Sequence, residues 1–146
     1  MVLVAACLLA GLYTRAFSAG NKDTHGNLDR ATLEQLERMI ATGTAPPQAW
    51  AAYGQRLYDT RQYARSALAY RRVIEAEPYN RPARFQCALA LAAANDADGL
   101  LAYLRGQLYV EPKLVAELLD HSALKRIQAD ARFAILKKEA RAQAMD

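Results

Sequence analysis

Apolar residues recur along most of this chain at intervals of three and four, with charged and amide side chains between them. The clearest stretch runs from Pro47 to Pro78, PQAWAAYGQRLYDTRQYARSALAYRRVIEAEP. Trp50, Tyr53, Gly54 and Leu57 share one helical face, because side chains three and four apart stack over each other. Tyr63, Ala67, Tyr70 and Ile74 form a second stripe, and Asp59 to Gln62 is a short polar break between the two. Helices joined by so short a turn pack antiparallel. Gly54 sits mid-helix, where glycine costs roughly 0.5–1 kcal/mol relative to alanine. A close helix crossing at that point recovers the cost. Pro78 cannot continue a helix and ends the second one. No stretch alternates with period two over a useful length, so the pattern predicts an all-α chain.

The same pattern repeats without a gap. A shift of 34 residues takes Tyr53 to Cys87, Gly54 to Ala88 and Leu57 to Leu91. It also takes Ala67 to Leu101, Tyr70 to Leu104, Ile74 to Leu108, and Glu77-Pro78 to Glu111-Pro112. The reverse shift takes Ala67, Tyr70 and Ile74 to Leu33, Leu36 and Ile40. Thr32 to Ala41 therefore reads as a preceding second helix with Leu33, Leu36, Met39 and Ile40 as its stripe, ended by Gly43. Asn80 is placed to cap the next first helix, with Pro82 in its first turn, and Asn95-Asp96 breaks and recaps the chain. Gly106 suggests either close packing or a local weakness. From Lys113 the register fails. Three shorter helices are expected there: Pro112 to Leu119, a brief one capped by Ser122 with Leu124 and Ile127, and a last one capped by Asp130 with Phe133, Leu136 and Ala140.

These residues resemble a known signature, Trp, two residues, Leu, Gly, two residues, Tyr, then Ala, three residues, Phe, then Pro. Trp50, Gly54 and Pro78 match it outright, and Tyr53, Leu57, Ser66 and Tyr70 stand at the remaining positions. The second unit has Arg84 where the Trp would fall. The stretch from Thr32 to Pro112 is thus similar to the tetratricopeptide repeat family. The resemblance implies a short right-handed α-solenoid of antiparallel helix pairs over residues 28–146, with repeats at 47–80 and 81–114. The tail, 115–146, would be the polar-faced cap that such arrays need. It also implies a non-catalytic scaffold that takes a peptide or partner helix in the groove formed by successive first helices. Carried over by position, the partner-binding residues are Gln48, Ala51, Gln55, Tyr58 and Asp59 on one unit, then Phe85, Leu89 and Ala92 with Ala93 on the next. For Tyr58 and Phe85 the alternative is contact with the N-terminal run or the tail. Members that clamp a terminal carboxylate use Lys and Asn on this face. Here Ala51 and Gln55 stand there, so that specialisation is not expected. Two and a half units are fewer than the three usually needed for stability. The second hypothesis is therefore a structural subunit, or a self-assembling component of an envelope-associated complex.

Residues 1–27 differ in character. Val2 to Tyr13 is an apolar run of twelve residues, short of the ~20 that span a bilayer. Its length fits the core of an export signal, and Ala16-Phe17-Ser18-Ala19 offers small residues for cleavage. It has no basic start. Val4-Ala5-Ala6-Cys7 faintly resembles a lipoprotein box, and a helix packed on the repeats is the remaining alternative. We expect a targeting or anchoring segment, with Ser18 to Asn27 as linker, and an exported or membrane-associated protein. A cytoplasmic location is the alternative.

Composition adds limits. The formal charge is +4, with Lys and Arg scattered among acids, which reads as solvated helix faces and not as a nucleic-acid patch. Cys7 and Cys87 are eighty positions apart and form no redox or metal pair. His25 and His121 have no ligand or base at motif spacing, and no phosphate loop, zinc motif or nucleophile elbow occurs. The expectation is no enzyme activity, no cofactor, no metal and a protein or peptide partner.

Overall fold

The computed structural model describes residues 28–145. Val2 to Tyr13, Cys7 and the linker to Asn27 lie outside the described residues, and with them the targeting expectation. Among the described residues there are seven α-helices and no strand: α1 (Leu33–Ala41), α2 (Pro47–Asp59), α3 (Tyr63–Ala76), α4 (Arg81–Ala93), α5 (Ala97–Leu108), α6 (Pro112–Asp120) and α7 (Ala131–Ala144). A short 3-10 turn, Ser122–Leu124, links α6 towards α7. Each helix packs against the next in order.

Local chemistry sets the boundaries. Thr32 and Gln35 form a reciprocal capping box at the start of α1. The Asn80 side chain accepts from Ala83 N at 3.0 Å, Asp96 from Gly99 N at 2.8 Å, and Asp130 from Arg132 N at 3.0 Å. The expected Ser122 cap is different. His121 Nδ1 accepts from Ala123 N at 3.2 Å and caps a 3-10 turn in place of a helix. Helices α2 and α4 end alike. Arg61 (φ 62°) and Asn95 (φ 59°) adopt the left-handed conformation. Gln62 N donates to Leu57 O at 2.8 Å and Asp96 N to Leu91 O at 3.1 Å. Arg61 N and Asn95 N donate to Tyr58 O and Ala92 O, which completes a Schellman motif at each end. The boundaries of α2 and α4 (47 and 81, 59 and 93), the starts of α3 and α5 (63 and 97) and these two cap residues all stand 34 apart.

Gly54 lies at a helix crossing. A Cβ built on it would stand 3.0 Å from Tyr70 Cε2, and Ser66 Oγ donates to Gly54 O at 2.7 Å. The Tyr70 ring thus lies against the α2 backbone. Gly106 is otherwise: it is exposed and a Cβ there meets nothing within 4 Å, so it makes no close contact. Met39 is also off its expected stripe, being exposed while Leu36 is fully buried.

Two apolar clusters result. The smaller joins Leu28, Ala31 and Leu36 to Ala49, Tyr53, Leu57 and Ala69. Arg65 ties it shut from α3: Nη2 donates to Glu37 at 2.9 Å and to the Tyr53 hydroxyl at 2.6 Å. The larger cluster runs from Tyr70 and Val73 through Cys87, Leu91 and Leu104 to Leu118, Phe133 and Leu136, so the tail shares the core of α3–α5. Arg84 is buried beside it, 2% exposed. Its Nη1 pairs with Glu111 at 2.9 Å and its Nε donates to Gln107. Outside, α7 is fastened to α6 by Asp120 with Lys137 and Arg141, and its Arg132, beside Asp130, reaches Asp98 at the start of α5. Among the described residues no helix is long and apolar enough to cross a membrane.

Candidate functional site

Helix α3 wedges between α2 and α4 and packs closely on both. A cleft of about 430 Å³ opens between the two outer helices. Gln48, Ala51 and Gln55 line it from α2, each one or two turns apart on the same face. Pro82, Ala83 and Gln86 face them from α4, and Tyr70 lies at the base. Leu28 and Asp29 reach its edge, because Arg56 holds this segment against α2 through the carbonyls of Asp29 and Ala31. A second cleft, of about 340 Å³, lies on the other flank of α4 and is lined by Arg81, Phe85 and Glu117. Pro82 and Gln86 belong to both.

The first cleft has an apolar lining of small side chains and an amide rim. Gln55 is held in place: its Nε2 donates to Asp59 Oδ1 at 2.9 Å, and its Oε1 accepts from the Tyr70 hydroxyl at 3.3 Å. Burial, with smaller contributions from Asp59 and Tyr58, pushes the Tyr70 phenol up to about 12. It therefore stays a neutral donor at any ordinary pH. Among the described residues no carboxylate–histidine or thiol–histidine arrangement faces either cleft. No group of three or more His, Cys, Asp or Glu among the described residues is placed to hold a metal ion. Cys87 is fully buried, with its Sγ towards Ala67 O at 3.7 Å, and burial raises its thiol to about 11.

The sequence-derived site residues divide. Gln48, Ala51 and Gln55 line the first cleft, and Phe85 the second. Asp59 lines neither; it orients Gln55 and sits 3.8 Å from Arg56. Tyr58 is half-buried and meets the Tyr63 ring edge-on, with centroids 5.1 Å apart. Leu89 packs on the core and Ala92 is buried, 3% exposed, so neither lines a cleft. Phe85 meets the tail as well, its ring edge-on to His121 at 5.3 Å. The spacing pattern does not single out Gln86, Pro82, Asp29, Arg81 or Glu117. The cause is geometric. A 34-residue shift carries the forward flank of α2 onto the forward flank of α4, which faces α6. The flank of α4 that faces back across the first cleft lies about 100° round the helix, one residue on, at Ala83 and Gln86. The sequence signal for it is the i, i+3 pair itself, Ala83 and Gln86, beside the capped start at Asn80.

No protein-family model matches this chain, and neither the curated proteins nor the solved structures compared with it give a match.

Proposed function

We propose that the protein is a short right-handed α-solenoid of tetratricopeptide-like helix pairs, acting as a non-catalytic scaffold that holds a peptide or partner helix across α2, α4 and α6. The cleft between α2 and α4 carries this reading. Small side chains leave room there, and amides stand at its rim, which is the chemistry of polypeptide recognition: apolar contact below, hydrogen bonds to a backbone above. The 34-residue recurrence of helix starts and caps supports the solenoid part of the reading. The test is to pan the full chain against a random-peptide display library and measure the selected peptides by calorimetry. Ala51 is half-buried and lines the cleft, so Ala51→Trp fills it and should abolish their binding, with a thermal melt to check that the variant stays folded. Unchanged binding by a folded Ala51→Trp protein would place the site elsewhere.

A second reading, a self-assembling structural subunit, is favoured by one observation. Tyr79, Tyr109 and Val110 stand 85%, 87% and 53% exposed in the α3–α4 and α5–α6 connections. Both connections lie at one end of alternating antiparallel helices. Light scattering across a dilution series separates the two: a monomer at all concentrations removes this reading.

A further inference from the structure

The charge on the two clefts points to the chemistry of their occupant, and this step rests on the cleft being a polypeptide site. Arg81 is the one cation lining either cleft among the described residues, and it is already committed. Its Nε pairs with Glu111 at 3.0 Å and its Nη2 with Glu117. Glu111 also neutralises the buried Arg84. The carboxylates are less committed. Asp29, at the edge of the first cleft, pairs with no cation among the described residues, and Glu117, in the second, is 54% exposed and shares its one cation with Glu111. A protein of formal charge +4 thus lines these two clefts with two carboxylates and one committed cation.

The amides add direction. Gln48 and Gln86 have no side-chain hydrogen-bond partner among the described residues, whereas Gln55 is already held by Asp59 and Tyr70. Gln48 and Gln55 are seven residues apart on α2, about 10 Å along the axis. About three residues of extended chain cover that distance. The small side chains of Ala51, Ala52 and Ala83 leave room for side chains between the amides, a spacing that an extended backbone matches.

We propose that the occupant is an extended peptide in which small or apolar residues alternate with lysine or arginine. The small residues enter the first cleft, the amides of Gln48 and Gln86 bond its backbone, and its cationic groups meet Asp29 and Glu117. An acidic peptide, or a terminal carboxylate, finds no free cation there, and like charges facing across an interface disfavour binding strongly.

The experiment uses the full chain and two labelled pools of degenerate peptides, identical except that alternate positions carry lysine in one and glutamate in the other. Fluorescence anisotropy should show the lysine pool binding about tenfold or more tightly, with the difference shrinking as salt rises. Asp29→Lys with Glu117→Lys should narrow or invert the preference. Ala51→Trp, and the gentler pair Gln48→Ala with Gln86→Ala, should weaken both pools. Equal or reversed binding of the pools, still abolished by Ala51→Trp, overturns the charge assignment and leaves the cleft as the site. Binding indifferent to Ala51→Trp and to the glutamine pair in folded protein overturns the cleft itself. Binding of neither pool overturns the extended cationic occupant.

Discussion

A methyl group added at Gly54 would press on the Tyr70 ring at 3.0 Å, while one added at Gly106 would touch nothing within 4 Å. Both glycines lie inside helices, so both forgo up to about 1 kcal/mol of helix propensity relative to alanine. Only Gly54 receives contact in return. Gly106→Ala should therefore stabilise the protein by about 0.5–1 kcal/mol, raising Tm by a few degrees. Gly54→Leu should cost about 1–3 kcal/mol by overpacking, and Gln55→Leu, next to it but exposed, should cost about 0.5–1.5 kcal/mol, the hydrogen bond it takes from the Tyr70 hydroxyl. Differential scanning calorimetry of the three variants decides the matter. A Gly54→Leu protein that melts with the parent would mean that α2 and α3 are free to separate at this point. Gly54 is legible in the sequence because large apolar residues flank it at helical spacing. Gly106 is not, since Arg105 and Gln107 beside it look alike on a tight and on an open face. Spacing shows which side of a helix is apolar, but not how closely a neighbour approaches.

At the scale of elements, the second helix pair is joined through a charge. Arg84 stands one 34-residue shift after Trp50, yet it is buried, and its guanidinium meets Gln107 on α5 and Glu111 just before α6. The Tyr103 hydroxyl donates to Arg84 O at 2.9 Å and fixes the same crossing from α5. One nitrogen, Nη2, has no acceptor among the described residues. A buried cation with an unmet donor contributes little net stability when compared with an apolar side chain, but it penalises the loss of its partner heavily. Glu111→Ala should thus cost about 2–4 kcal/mol, since it strands Arg84 and releases Arg81. Arg84→Met should cost less than about 1 kcal/mol or be stabilising. The double variant should melt near Arg84→Met alone, because no charge is left to strand. Urea titrations of all three measure this, and a Glu111→Ala protein as stable as the parent would show that the pair is without weight. The seven helices and the Asn80, Asp96 and Asp130 caps can be read from the chain, since apolar period, Asn, Asp and Pro act locally. The middle tail element, by contrast, is a 3-10 turn capped by His121 and not a helix capped by Ser122. Arg84 cannot be read either: in one dimension it is a break in the signature, and its partners lie 23 and 27 residues away. The cleft is half legible for a related reason. The resemblance, carried over by position, gives the same flank on each first helix, so it reaches Gln48, Ala51 and Gln55 and misses the opposing Gln86.

For the molecule as a whole, the two apolar clusters differ in what they bury. The smaller one closes on hydrocarbon and on the Tyr53 hydroxyl, which keeps partners in Glu37 and Arg65. The larger one encloses groups that must stay neutral: Cys87 and Tyr70 inside it, with Tyr103 packed against it. Burial is the first cause in each case. It raises Cys87 from 9.0 to about 11, against an opposing pull from Arg71, and Tyr70 from 10.0 to about 12. Tyr103 is raised as well, again by burial before any charge. These shifts give the fold a direction of pH sensitivity. A group whose pKa is higher in the folded chain than in the unfolded one contributes stability that is complete below the unfolded value, and it is lost as pH climbs towards the folded value. For Cys87 the window is pH 9 to about 11, and for Tyr70 it is pH 10 to about 12. Each group withdraws on the order of 1.4 kcal/mol per pH unit within its window. Against a total of about 5–15 kcal/mol for a domain, their joint loss should leave the protein marginal near pH 12. Urea midpoints measured from pH 8 to 12 should therefore be flat to about 9 and then fall steadily. Cys87→Ala should flatten the part of the curve that starts at 9, and Tyr70→Phe the part that starts at 10, whatever either change does to stability at pH 8. A parent protein that keeps its pH 8 midpoint at pH 11, or a Cys87→Ala curve parallel to the parent's, would mean that the thiol reaches water in the folded chain. Helix α4, which carries Cys87 on the core side and Gln86 in the cleft, would then have to be more loosely seated than its packing implies.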